Sequence, residues 1–194
     1  YRLPKGHDAY DRPFAFGWPR GVREVQSERY LANIHGTFYE FPRDTGVAEA
    51  RPVCSHGKQI ADFCSWRGLL VLSGARRAAT ADANYFNNGA GVGLWFGAVD
   101  DLWRLGKPVG RGGPWKNARV EAGVPSDPYL MTNYDRKRLE LSHDAPATVG
   151  VRVEVNFDGA GWREYRTFKV PPGQTLEHEF PAGFGAYWIR FAAD

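Results

Sequence analysis

The stretch ATVGVRVEVNFDGAGWREYRTFKV (147–170) decides the fold class. Val149, Val151, Val153 and Val155 alternate with Arg152 and Glu154, the period of two that marks a strand with one face on a core and one in water. Asp158-Gly159 then supplies the positive φ that a hairpin turn asks for, and WREYRTFKV returns as the partner strand. Working outward, RKRLELSHD puts Leu139 and Leu141 on one face, and TLEHEFP and AYWIRFAAD read as two further strands. Residues 137–194 thus read as a small antiparallel β-sandwich of about five strands.

The whole composition agrees with an all-β chain. Aromatic residues make up 14% of the 194 residues, with 23 glycines and 13 prolines, a mixture that favours short strands joined by many turns. Net charge is only +3 and the basic residues are scattered, so no nucleic-acid footprint is expected. No apolar run is long enough to cross a membrane as a helix. The chain begins at Tyr1 without a signal-like apolar stretch, and reads as a processed chain or a piece of a longer one. Its two cysteines, Cys54 and Cys64, are compatible with one disulfide or with two buried thiols.

Residues 1–127 show clusters of short strands. A strand is expected at 22–25, and RYLANIHGTFYEFPR (29–43) reads as a strand ending at Pro42. GVAEARPVCSHG is a second candidate, and in IADFCSWRGLLVLSG the apolar run 68–72 reads as a buried strand with polar residues at its entry. RRAATADANYFNNGAGVG reads as a long loop, whose glycines lack the strand-before, helix-after context of a phosphate cradle. GVGLWFGAVDDLWRLG reads as two strands around a turn at Asp100-Asp101, with Trp95 and Trp103 in the core. Trp115, in a Gly-Gly-Pro loop, is the better candidate for an exposed ring. Such clusters are spaced like propeller blades of about 40–50 residues. About two to three blades fit, fewer than the roughly four that close a ring.

RYLANIHGTFYEFPR, ADFCSWRGLLVLSG, LWFGAVDDLWRLGKPVGRGGPW and AGVPSDPYLM together resemble the C-terminal part of large secreted bacterial β-propeller proteins from polysaccharide-degrading bacteria. That resemblance implies partial propeller blades over 1–127 followed by the sandwich of 137–194. It also implies upstream blades, a secreted or periplasmic location and a carbohydrate-active context.

The candidate chemistry follows from residue types. A glycosidase sets two carboxyl groups across one sugar, ~5–5.5 Å apart for retention or ~6.5–9.5 Å for inversion. Glu40 and Asp62 are the candidate pair, with Glu121 as a substitute partner and His35 to protonate or orient. Tyr39, Arg43, His56, Trp66, Arg67, Trp115 and Arg119 are candidate substrate contacts, indoles for stacking on a pyranose and guanidinium groups for hydroxyls or a uronate. The bland alternatives are that Glu40 pairs with Arg43 at a strand end, that His35 is a turn residue, and that Asp62 pairs with Arg67. The Cys54, His56, Cys64 spacing does not make a zinc site. No cofactor is expected, apart from a structural calcium that Asp100-Asp101 would suit.

Three function classes remain open. A glycoside hydrolase would use the carboxylates. A polysaccharide lyase would use His35, His56 or Tyr39 as base and Arg43 or Arg67 to neutralise a uronate. A non-catalytic carbohydrate-binding or scaffold module would use the aromatic and basic residues alone. An incomplete propeller is also expected to associate through open strand edges, with upstream blades or a second copy.

Overall fold

The computed structural model describes residues 1–13, 19–26, 29–58, 60–74, 84–87 and 93–194. These form short strands in four antiparallel sheets, so the chain is all-β. Two compact units result, Lys5–Arg111 and Tyr1–Pro4 with Gly112–Asp194.

In Lys5–Arg111, strands β1 (Gly21–Val25), β2 (Arg29–Ile34), β3 (Thr37–Phe41) and β4 (Arg51–Ser55) pair in sequence order. Strands β5 (Asp62–Trp66), β6 (Leu69–Ser73), β7 (Tyr85–Asn87) and β8 (Gly93–Gly97) make a second sheet in the order β5-β6-β8-β7. Both sheets bury one face in a common core. Val25, Leu31, Phe38 and Cys54 come from the first and Phe63, Leu70, Leu72 and Trp95 from the second. Phe38 and Leu70 are wholly buried, and each such side chain contributes about 1.5–3 kcal/mol of transfer free energy.

Two expected single elements prove to be hairpins. The 29–43 segment folds back at His35-Gly36, with φ of +50° and +79°. The 60–74 segment folds back at Arg67-Gly68, with φ of +48° and +82°. Positive φ at both central residues gives the turn whose twist matches the flanking strands. The polar entry of 60–74 is therefore itself a strand, β5. Further corrections follow. GVAE (Gly46–Glu49) is a 3-10 turn rather than strand. The expected strand after Ala98 is a 3-10 helix, Val99–Leu105, whose first turn is held by the Ala98 amide donating to Asp101 Oδ2 at 2.9 Å. That helical turn buries Val99 and Leu102 and swings Trp103 out to 74% exposure, so only Trp95 is core. β7 lies inside the expected long loop, and most of that loop, with 89–92 of the glycine run, lies outside the described residues.

The second unit begins earlier than the expected 137. Gly123 donates to Ala193 O and Ser126 to Phe191 O, while the Arg2 amide donates to Pro128 O and Leu130 returns a bond to Arg2 O. These bonds lay residues 1–4 and 123–130 along the unit and create β9 (Tyr129–Leu130), which pairs with β14 (Trp188–Ala193). β10 (Arg138–Leu141) pairs with β13 (Leu176–Glu179) as a separate two-stranded sheet. β11 (Val149–Asn156) and β12 (Arg163–Val170) complete the four-stranded sheet β12-β11-β14-β9. Val151, Val153, Val155, Phe168, Ile189 and Phe191 from the larger sheet share a core with Leu139 and Phe180. Outside it, Glu154 accepts from Arg190 at 2.6 Å, and that guanidinium lies over Trp162.

Candidate functional site

The residues singled out from the sequence fall into separate places. At the β2–β3 turn, His35 sits against the Tyr10 ring, with centroids 6.0 Å apart. Its pKa is lowered, first by burial, then by the charges of Arg20 and Lys5, with Asp11 opposing. His56 is not a surface contact. It is 7% exposed, its ring 5.2 Å from that of Phe38. Its Nε2 lies 2.9 Å from Asn33 Oδ1, and its Nδ1 accepts from the Lys58 amide at 3.0 Å. Since Asn33 Nδ2 donates to Ile60 O, its Oδ1 must accept, which makes His56 the neutral Nε2–H tautomer. Burial lowers the pKa of His56 to about 4. Tyr39 is also withdrawn from any surface: its side chain is fully buried in β3.

The two candidate carboxylates stand on different strands, each beside an arginine. Glu40 lies 3.9 Å from Arg29, which bonds Asp100 at 2.9 Å. Asp62 faces Arg23, with both carboxylate oxygens within 3.2 Å of one guanidinium nitrogen. The expected pairings of Glu40 with Arg43 and of Asp62 with Arg67 are thus replaced by partners from β2 and β1. Arg43 is exposed beyond the end of β3. Asp101 caps its own helical turn and Asp100 is held by Arg29, so both expected calcium ligands have protein partners. Among the described residues, no group of three or more His, Cys, Asp or Glu side chains is arranged for a metal. A shallow pocket of about 280 Å³ is lined by Lys5, His7, Asp8, Val109 and Arg111. None of the sequence candidates lines it, and its charges are matched internally, Arg111 with Asp8 and Lys5 with Asp11.

The remaining place is the outer face of the β5-β6-β8-β7 sheet. Register puts Trp66 opposite Leu69, Cys64 opposite Val71, and Val71 opposite Phe96. Leu94 stands opposite Phe86. By strand alternation these point away from the core that Phe63, Leu70, Leu72 and Trp95 fill. Trp66 is 52% and Phe86 58% exposed. The Trp66 ring meets the edge of Phe96 at 6.4 Å, and the Arg67 guanidinium carbon lies 5.1 Å from the Trp66 centroid. Among the described residues no carboxylate lies within ion-pair reach of Arg67. The described part of this face is apolar and aromatic around Trp66, with Arg67 at the hairpin tip and Asp62 and Ser73 at the opposite end, which suits stacking against a ring and contact with an anion at the tip.

In the second unit, Trp115 was expected as an exposed ring but is only partly open, packed on Phe191 at 5.9 Å between centroids. Arg119 is exposed. Neither cysteine forms a disulfide: Cys54 is buried, with burial pushing its thiol up to about 12, while Cys64 is exposed on the outer sheet face. Sequence reasoning missed Asn33, Arg23, Arg29 and Phe96. Asn33 had a local signal, a polar residue at the inward position of 29, 31 and 33. No family model, curated protein or solved structure matches the chain. Among the described residues no helix is long and apolar enough to cross a membrane.

Proposed function

We propose that this is a secreted carbohydrate-binding β-protein whose ligand surface is the outer face of the β5-β6-β8-β7 sheet. In this reading the two four-stranded sheets of Lys5–Arg111 are propeller-type blades and Gly112–Asp194 is a β-sandwich accessory unit. The observation that carries it is the half-exposed Trp66 indole, between Arg67 and Phe96 at the apolar end of a sheet face whose far end holds Asp62 and Ser73. An exposed indole presents a large flat apolar area to the C–H face of a pyranose at little conformational cost. Binding is favoured over hydrolysis because Glu40 and Asp62 each face an arginine rather than each other. A hydrolase needs its two carboxyl groups across one sugar.

The test is affinity electrophoresis of the chain through gels containing neutral and acidic polysaccharides, with reducing ends followed in parallel. Retardation without product is expected. Trp66→Ala should weaken it by about tenfold or more, the equivalent of ~1.4 kcal/mol. No retardation by any polymer, or an unchanged Trp66→Ala variant, overturns the reading. Product release abolished by Glu40→Gln or Asp62→Asn would put hydrolysis in its place.

A further inference from the structure

Arg67 occupies a costly place. It sits at the first central position of a two-residue hairpin turn, with φ of +48°, where asparagine or glycine is the favoured residue. An L-residue with a Cβ loses roughly 1–2 kcal/mol in this conformation. A strained non-glycine residue at an exposed tip calls for a reason: among the described residues Arg67 is ion-paired with no carboxylate, and its guanidinium lies over Trp66. By contrast, Asp62, at the far end of β5 from Trp66, is paired with Arg23 of β1. Among the described residues Arg67 is therefore a cation with no carboxylate partner, stacked over the ring proposed to hold a sugar.

We infer that the Trp66 face selects acidic polysaccharide, with Arg67 as the contact for the carboxylate of a uronate residue. This rests on the carbohydrate-binding reading above and adds its substrate class. A pyranose stacked on the Trp66 face that the guanidinium leaves open brings its C5 carboxylate to the rim of the ring over which that guanidinium lies, 5.1 Å from the indole centroid. The planar fork of arginine matches a carboxylate with two parallel hydrogen bonds. The apolar neighbours Leu69 and Phe96 add no competing carboxylate, and Asp62, at the far end of the face, is held by Arg23.

The test compares gels containing polygalacturonate or alginate with gels containing the methyl ester of the same polymer, which keeps the ring and removes the charge. Dextran sulfate serves as a general polyanion. Wild-type protein should be retarded more by at least one acid form than by its ester. Arg67→Asn suits the turn better and should hold or raise stability to urea while its affinity for the acid form falls about tenfold, to the ester's level. Trp66→Ala should lose both. Equal retardation by acid and ester, an unchanged Arg67→Asn variant, or dextran sulfate binding as tightly as the uronate polymers overturns the uronate assignment but leaves carbohydrate binding standing. Retardation by no polymer removes both.

Discussion

Acidification below about pH 6.5 should destabilise Lys5–Arg111 through one buried side chain, His56. In the unfolded chain His56 titrates at its ordinary 6.5, while burial holds it near 4 in the folded protein. Between those values the unfolded chain binds a proton that the folded chain refuses, so stability falls as pH falls. The contribution is complete above about pH 6.5 and gone below about pH 4. Each unit of pKa difference is worth ~1.4 kcal/mol, which makes the full loss about 3 kcal/mol. That is a large share of the ~5–15 kcal/mol that holds an ordinary domain together. Geometry gives the same sign, because a proton on Nδ1 would turn the acceptor of the Lys58 amide into a second donor. The assay is urea unfolding of the wild type and His56→Gln at a series of pH values. Glutamine does not titrate. Every other titratable group is common to the two proteins, so the difference in slope isolates His56. The wild type should show up to ~1.4 kcal/mol per pH unit of extra slope across the window. Equal slopes in the two proteins, or a His56 ring resonance titrating near 6.5 in the folded state, would refute the reasoning.

Two further outcomes are expected. Gly36→Ala should cost more than 1 kcal/mol, roughly the left-handed penalty alone, because its Cβ would also lie 2.5 Å from the Tyr10 ring; a Tm unchanged from wild type would contradict the turn. A thiol reagent should label Cys64 at once and Cys54 only on unfolding, since Cys64 is exposed and Cys54 is buried with a raised pKa; two fast equivalents, or none, would count against this arrangement of β4 and β5.

The parts of the fold that were legible are those where one strand shows its period to one core. Val149 to Val155 alternate because β11 has β12 and β14 beside it and a core on one side only. The hairpins at His35-Gly36 and Arg67-Gly68 were hidden, since histidine and arginine are not the residues such turns favour. Strand β9 was not legible at all. Its two residues carry no period, and the pairing that makes them a strand comes from Trp188 and Ile189. Trp103 was misread for a related reason. Two residues after an Asp pair it looks like a strand position, but once Asp101 caps the Ala98 amide the backbone turns helically and the ring faces water.

The candidate site divides along the same line. Residue types pointed to Glu40, Asp62 and His56, but the behaviour of each is fixed by a partner distant in the chain. Arg23 lies 39 positions from Asp62, Asn33 lies 23 from His56, and Arg29, beside Glu40, also bonds Asp100 at a separation of 71 positions. Catalysis needs such groups left with work to do, and these have found protein partners. The pair that keeps its chemistry, Trp66 and Arg67, is adjacent in sequence and needs only a two-residue turn to come together. A binding surface built this way depends on local geometry and survives loss of any long-range ion pair, whereas an acid–base pair would not. That difference is why we propose recognition of a glycan ahead of its cleavage.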